Sequence, residues 1–213
     1  TIVVLVGGRP LSVNWIAQNV QALVQAWEPG SLGGRALANI LAGKVNPSAK
    51  LPISIPRHSG QIQMIYNHKP SQYFHKYIDG PSTPLYPFGF GLSYTRFAYS
   101  SLKLSHTRIS DKDSFTASIE LTNVGDREGT EVVQLYIRDI YSSATRPVKE
   151  LKDFARVTLK PGEKKTVTFT VTPDKLAYWN RNMQYGVEKG EFEIMIGSSS
   201  QDKDLKKVKM EVL

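Results

Sequence analysis

Acid–base catalysis by carboxylates requires an Asp or Glu side chain held where it can exchange a proton with the reacting group. The first 95 residues contain only two acidic side chains, Glu28 and Asp79. Glu28 precedes a Pro-Gly turn and Asp79 precedes Gly80 in a long loop, which are positions typical of turn-forming residues. We therefore predict that neither residue is catalytic.

The histidines and the hydroxyl side chains provide no second catalytic or metal-binding pattern. Successive histidines are 10, 7 and 31 residues apart, and these spacings match no compact set of metal ligands. No serine lies in a Gly-x-Ser-x-Gly nucleophile elbow, and there is no cysteine. Gly7-Gly8 follows a predicted strand without completing a dinucleotide-binding fingerprint. The sequence thus predicts no metal site and no cofactor. The histidines considered are His58, His68, His75 and His106.

Arg9 and Trp27 are the side chains that the predicted elements place best for ligand binding. Each stands at or near the end of a predicted buried strand, Ile2–Val6 in one case and Ala22–Trp27 in the other. In parallel sheets, ligands bind beyond the carboxyl ends of the strands. We therefore treat Arg9 and Trp27 as candidates for lining a binding cleft.

The first 59 residues alternate between short apolar runs and helical patterns. The predicted elements are strand Ile2–Val6, helical turns over Val13–Asn19, strand Ala22–Trp27, a helix from about Ser31 to Ala42, and strand Leu51–Ile55. This order is typical of an α/β fold with right-handed crossovers and a largely parallel sheet. A buried strand needs neighbours on both sides. Because one begins at the first residue, we expect the true N-terminus and any localisation signal to lie upstream.

Residues 60–95 form an aromatic-rich segment without regular periodicity. The segment contains five tyrosines and three phenylalanines among many Pro and Gly residues. A structureless stretch of this length is unusual unless it is functional or packs over another surface. Two interpretations stay open: the rings stack on sugars at a binding site, or they anchor the loop to its own domain.

The second half of the chain has the alternating pattern of an all-β domain. The predicted strands are Phe97–Leu104, Phe115–Thr122, Val132–Asp139, Lys149–Leu159, Lys165–Val171, Leu176–Trp179 and Glu191–Gly197, with Lys207–Val212 as a last edge. Short strands separated by regular turn signals are typical of an immunoglobulin-like or fibronectin type III-like β-sandwich. The absence of cysteine favours the fibronectin-like version.

The net charge of +8 is not concentrated as in a nucleic-acid-binding surface. Residues 1–95 carry seven Lys or Arg against two acidic residues, and residues 96–213 carry 20 against 17. No recognition helix or aromatic-basic platform accompanies the excess, so we predict no nucleic-acid partner. No apolar run approaches the roughly 20 residues of a membrane-spanning helix, so we predict no membrane partner.

Several motifs of four or more residues follow one another in a recognisable order. They are Gly8-Arg9-Pro10-Leu11, Ala26-Trp27-Glu28-Pro29-Gly30, Asn46-Pro47-Ser48-Ala49-Lys50-Leu51-Pro52, Tyr66-Asn67-His68-Lys69-Pro70 and Pro84-Leu85-Tyr86-Pro87-Phe88-Gly89-Phe90-Gly91-Leu92-Ser93-Tyr94. The series resembles the C-terminal region of glycoside hydrolase family 3, the β-glucosidase and β-xylosidase type. The second half continues with Thr122-Asn123-Val124-Gly125 and Lys149-Glu150-Leu151-Lys152-Asp153-Phe154, which resemble that family's fibronectin type III-like domain. Glu28 departs from the family pattern, in which we expect an aromatic residue.

The resemblance implies that the chain is the C-terminal part of a retaining exo-β-glycosidase acting on β-linked glucosides or xylosides. In this family the nucleophile Asp comes from an N-terminal barrel, and the acid/base Glu typically comes from an upstream α/β segment. Both segments are absent from this sequence, so they are its implied partners and the isolated chain is predicted to be inactive. A periplasmic or secreted location is favoured over the cytoplasm.

The resemblance also makes Asn67 and His68 candidates for substrate-side or interface contacts, because their motif belongs to the series. The alternative for His68 is a structural role in which it bonds loop carbonyls. The implied domains are the end of an α/β sandwich domain (1–59), an aromatic-rich linker (60–95) and a fibronectin type III-like sandwich (96–213).

Two other functions stay open at the level of sequence. The chain could be a stand-alone carbohydrate-binding or adhesion module that uses residues 60–94. It could also be a split or cleaved chain that reassembles with an N-terminal partner through an exposed sheet edge.

Overall fold

The computed structural model describes residues 1–62, 64–70, 77–78 and 80–213. The α/β part begins with strand β1 (Ile2–Val6), helix α1 (Asn14–Asn19), strand β2 (Ala22–Trp27) and helix α2 (Gly33–Leu41). Strands β1 and β2 are parallel, with Ile2 opposite Ala22 and Val4 opposite Val24. The strand–helix–strand–helix order predicted for residues 1–42 is therefore confirmed.

The prediction that Leu51–Ile55 forms a third parallel strand is wrong. The N–H of Leu51 donates to the carbonyl of Phe90 (2.8 Å), the N–H of Gly89 donates to the carbonyl of Leu51 (2.8 Å), and Ile55 forms an isolated antiparallel bridge with Tyr86. Proline removes one backbone donor inside this segment, at position 52, and another directly after it, at position 56. The segment is thus held by the last part of the aromatic-rich stretch, and within the described residues of the α/β part the parallel pairing is that of β1 with β2.

The β-sandwich consists of two sheets. The first has the strand order β5 (Arg108–Ile109), β13 (Leu205–Val212), β12 (Gly190–Gly197), β7 (Gly129–Asp139) and β8 (Glu150–Leu159). In the second, β6 (Phe115–Asn123) pairs with β3 (Phe97–Tyr99), β4 (Lys103–Leu104) and β9 (Lys164–Val171). Alternate residues of β6 and β9 are buried, as expected for strands that face a core on one side. Phe115, Leu121, Phe169, Phe192 and Ile194 are among the core residues.

Two predicted strands of the sandwich have a different form. The predicted strand Phe97–Leu104 divides into β3 and β4 because the Oγ of Ser100, between them, accepts a hydrogen bond from the N–H of Glu120 (2.9 Å). The predicted strand Leu176–Trp179 is shorter in the structure. Leu176 ends a helical turn, α3 (Pro173–Leu176), and the strand β10 consists of Tyr178–Trp179. Proline at the first position of α3 has the fixed φ that a helix start requires.

The short strands β5 and β11 (Tyr185–Gly186) were not predicted. Each has two residues, which is too short to give a periodic signal. β11 pairs with β10 in an antiparallel hairpin, called the aromatic hairpin below (residues 178–187).

Candidate functional site

The carboxyl ends of β1 and β2 form a sheet edge that brings the Gly7-Gly8-Arg9 turn beside Trp27. The N–H of Gly7 donates to the carbonyl of Trp27 (2.9 Å). The register of the strands shifts between Leu5 and Val6, so that Val6 lies opposite Trp27. The structure therefore places Trp27 at the end of β2 and Arg9 just beyond the end of the adjacent parallel strand β1, at the edge where α/β sheets bind ligands.

Trp27 has an unusual backbone conformation at this edge. Its φ is 53°, in the left-handed region that costs a non-glycine residue roughly 1–2 kcal/mol. Backbone strain of this kind persists where the surrounding structure fixes it, and it concentrates at functional sites. This conformation could not be predicted from the sequence, since Trp27 ends an ordinary apolar strand pattern.

Glu28 extends the edge on the solvent side. A Cβ placed on Gly8 would lie 2.9 Å from Oε1 of Glu28, so the carboxylate lies against a position that a side chain would obstruct. Arg9 follows Gly8 and is exposed, as is Glu28. The edge thus combines a half-buried indole ring, a guanidinium group and a carboxylate. Such a set can contact an apolar ring face and exchange hydrogen bonds with hydroxyl groups.

Asn67 and His68 lie in a different place, against the sandwich. The carbonyl of His68 accepts a hydrogen bond from the N–H of Val148 (2.9 Å), just before β8. The Nδ1 atom of His68 is 3.0 Å from the carbonyl oxygen of Lys69. Strand pairing therefore places the turn that contains Arg9 next to the strand end at Trp27, whereas a backbone contact with the sandwich holds the His68 segment.

The neighbouring aromatic rings anchor this segment to the outer face of the five-stranded sheet. Tyr66 stacks on Phe88 with ring centroids 4.1 Å apart and meets Tyr136 edge to face at 5.9 Å. The hydroxyl of Tyr66 accepts a hydrogen bond from the N–H of Leu151 (3.2 Å). Burial raises the pKa of Tyr66 and of Tyr136 above the ordinary phenol value, so both remain neutral at physiological pH.

These contacts favour the anchoring interpretation for the described rings of residues 60–95. Tyr86 and Phe90 also stack on each other, with centroids 5.3 Å apart. Tyr73, Phe74, His75 and Asp79, which also belong to the stretch, lie outside the described residues.

A buried ion pair joins the α/β part to the sandwich. The Nζ atom of Lys50 is 2.8 Å from Oε1 of Glu131, and the two side chains are 13% and 8% exposed. The same ammonium group donates to the carbonyl of Gly91 (3.0 Å). Close by, the Gln134 amide donates to the carbonyl of Gly89 (3.1 Å). The sequence did not predict this contact between the two parts, called the seam below, because Lys50 and Glu131 are 81 residues apart. Each residue taken alone has the pattern of an ordinary charged surface residue.

Two kinds of feature are absent from the described part of the chain. No cluster of three or more His, Asp or Glu side chains there is arranged to hold a metal ion. No helix there is long and apolar enough to cross a membrane.

The fold and the sheet edge define a two-part chain in which an α/β segment is fixed to a fibronectin-like sandwich. Residues 1–94 match the family model of the glycosyl hydrolase family 3 C-terminal domain, and residues 131–200 match that of the fibronectin type III-like domain. The chain therefore belongs to glycoside hydrolase family 3 and corresponds to the C-terminal region of its members.

The chain is similar to parts of longer proteins. It is 45% identical to a periplasmic β-glucosidase of Salmonella typhimurium over 93% of this chain and 27% of the relative. It is 46% identical to a β-xylosidase of Formosa agariphila over 99% of this chain and 30% of the relative. A solved β-glucosidase from Erythrobacter marinus superposes with a TM-score of 0.95 at 43% identity, covering 100% of this chain and 28% of that one. A β-glucosidase from Listeria innocua in complex with glucose gives a TM-score of 0.92 at 36% identity, over 99% of this chain and 30% of that one.

Proposed function

We propose that this chain is the C-terminal part of a retaining exo-β-glycosidase that hydrolyses terminal β-linked glucose or xylose. The observation that carries the proposal is a match along nearly the whole chain to relatives named β-glucosidase and β-xylosidase, of which it spans 27% and 30%. The Listeria innocua structure with bound glucose supports the same substrate class.

The small number of carboxylates in residues 1–95 supports a proposed enzyme in which other segments provide the catalytic groups. Retention requires a nucleophile and an acid/base carboxylate about 5–5.5 Å apart. The described residues of 1–95 contain one side-chain carboxylate, that of Glu28, where two are required. In our proposal the nucleophile comes from an N-terminal barrel and the acid/base Glu from an upstream α/β segment, while this chain provides binding and positioning.

The sheet edge has a defined part in this proposal. Strands β1 and β2 continue a larger, largely parallel sheet whose other strands come from the upstream segment. Arg9 and Trp27 then line one wall of the cleft: Trp27 offers a ring face to a sugar and Arg9 donates hydrogen bonds to its hydroxyl groups. Asn67 and His68 act at the substrate side or at the interface with the upstream segment. The domain bounds proposed are 1–59, 60–95 and 96–213.

We further propose a periplasmic or secreted location. The Salmonella typhimurium relative is named a periplasmic enzyme, and polymeric β-glycans are met outside the cytoplasm.

The role of Arg9 is tested by Arg9→Ala in the longer protein that carries this chain. A hydrogen bond to a charged donor contributes about 1.5–3 kcal/mol, so kcat/KM for an aryl β-glucoside should fall about ten- to hundredfold. Arg108→Ala is the matched control, because Arg108 is an exposed arginine of the sandwich that pairs with Glu211 (2.8 Å). Equal kcat/KM for the Arg9→Ala and Arg108→Ala variants would exclude Arg9 from the cleft.

A further inference from the structure

The aromatic hairpin has two faces with different roles. Tyr178 faces the sandwich: the guanidinium carbon of Arg146 lies 4.7 Å from its ring centroid, and its hydroxyl is 3.0 Å from the Oγ of Ser143. Because successive residues of a strand point to opposite sides, Trp179 faces the other way. Its cross-strand partner is Tyr185. One face of the hairpin is therefore fixed to the protein, and the other presents two aromatic rings to solvent.

The tip of the hairpin is held in one conformation by its own side chains. The Oδ1 atom of Asn180 accepts hydrogen bonds from the N–H groups of Asn182 (2.9 Å) and Gln184 (3.1 Å). The N–H of Met183 donates to the carbonyl of Asn180 (3.0 Å), and Met183 has a left-handed φ of 58°. The rings are thus presented by a preorganised turn, which lowers the entropy cost of binding.

The exposed rings are large and are fixed relative to each other. Trp179 is 60% exposed and Tyr185 is 54% exposed, although their centroids are only 5.3 Å apart at an interplanar angle of 49°. The hydroxyl of Tyr185 donates to the carbonyl of Asp174 (3.3 Å), which orients the ring. Exposed aromatic groups on rigid supports are typical of binding surfaces, because they supply contact area at little cost in conformational entropy.

We propose that Trp179 and Tyr185 form a non-catalytic binding site for a chain of neutral, β-linked pyranose sugars. Apart from Arg181, residues 178–187 are uncharged aromatic, amide and apolar residues, so the composition of the hairpin suits a ligand bound by ring contacts and hydrogen bonds instead of by charge. Asn182 and Gln184 are exposed residues of the hairpin tip; their amides can exchange hydrogen bonds with sugar hydroxyls, while the rings contact the apolar faces of the sugar. The choice of β-linked sugars rests on the proposed function; the match to a neutral ligand does not.

The site is tested by affinity electrophoresis of the 213-residue chain through gels that contain soluble mixed-linkage β-glucan or xylan. The chain should be retarded by at least one of these polymers and not by dextran, an α-linked glucan. Trp179→Ala and Tyr185→Ala should each weaken the retention about tenfold. Tyr185→Phe keeps the ring and should retain binding. Phe154→Ala removes an exposed ring of β8 (59% exposed) and should migrate like the unaltered chain.

Several results would overturn the site. They are no retardation of the unaltered chain by either β-linked polymer, equal retardation by dextran, or retention that survives Trp179→Ala. Phe154→Ala weakening the retention as much as Trp179→Ala does would also contradict it. So would a loss of retention in all three variants of Trp179 and Tyr185, Tyr185→Phe included, that follows a lowered unfolding midpoint in each, because the rings would then support the fold and not the binding. The gel measures binding without turnover, so its outcome is independent of whether the longer protein hydrolyses aryl glycosides.

Discussion

Arg146→Ala should lower the free energy of unfolding of the sandwich by about 3–5 kcal/mol, the cost of leaving a buried charge without its partner. Arg146 is 3.2 Å from Asp139 and 2.9 Å from Glu150, and it donates to the carbonyl of Leu176 (2.8 Å). Its side chain is 6% exposed and that of Asp139 is 2% exposed. The substitution therefore leaves the carboxylate of Asp139 buried without its cation. It also removes the donor to the carbonyl of Leu176 and the cation that lies over the ring of Tyr178. Urea denaturation followed by far-UV circular dichroism measures the loss.

The loss of stability should also depend on pH. Burial raises the pKa of Asp139, and the charge and hydrogen bond of Arg146 oppose that rise. Without Arg146 the pKa rises further, so the folded state of the variant takes up a proton at a higher pH than the unfolded state does. Its stability accordingly falls as pH rises above the ordinary carboxyl range. The difference between the variant and the unaltered chain should therefore be larger at pH 7 than at pH 4.

Arg108→Ala is the control for this prediction. The bridge from Arg108 to Glu211 is shorter, at 2.8 Å, but lies at the surface, where an ion pair contributes about 0–1 kcal/mol. Equal losses for Arg146→Ala and Arg108→Ala, or a loss that grows as pH falls, would contradict the account of Arg146.

Lys50→Met should have a similar effect at the seam between the α/β part and the sandwich, again about 3–5 kcal/mol. The substitution keeps an apolar stem but leaves the carboxylate of Glu131 buried without its cation, and the carbonyl of Gly91 loses a donor. The neighbouring hydrogen bonds between Leu51 and the Gly89–Phe90 segment should then open more often. Amide hydrogen exchange at Leu51 and Gly89 measures that opening, since exchange reports local as well as global unfolding.

Two further variants separate charge from packing at this seam. Lys164→Met removes the cation of an exposed pair with Glu120 (3.5 Å) and should change stability by less than about 1 kcal/mol. Adding Glu131→Gln to Lys50→Met removes the orphaned charge and should restore part of the loss. Lys50→Met without accelerated exchange at Leu51, or a double variant no more stable than the single one, would show that the ion pair does not hold the seam.

The elements of this fold that were predictable are those whose own residues specify them. β6 and β9 alternate strictly between apolar and polar side chains, and β1 and β2 are apolar runs that end at Gly or Pro-Gly turns. Leu51–Ile55 has a similar composition, yet its partner is the Tyr86–Phe90 segment, about 35 residues further along the chain. A local pattern cannot specify such a partner, so the sequence indicated an extended segment without indicating how it pairs.

The candidate site likewise has features that could be predicted from the sequence and features that could not. The placement of Arg9 and Trp27 could be predicted, because Trp27 ends one strand and Arg9 closely follows the end of another, and the two strands pair in parallel. Its fine geometry did not, since the left-handed φ of Trp27 and the contact between Glu28 and Gly8 depend on the register of β1 against β2. The partners of Arg146 were also hidden, because an arginine between Thr145 and Pro147 reads as a loop charge. The roles of Arg9, Trp27, Asn67 and His68 in binding remain predictions.

The most direct test of the proposed function compares hydrolysis of aryl β-glucoside and aryl β-xyloside by two purified proteins. One is the 213-residue chain, verified by an intact mass near 23.8 kDa, and the other is the longer protein that carries it. We predict turnover of at least one substrate by the longer protein and none by the 213-residue chain. Turnover by the 23.8 kDa chain, free of host glycosidase, or its absence in the longer protein with both substrates, would contradict the proposal.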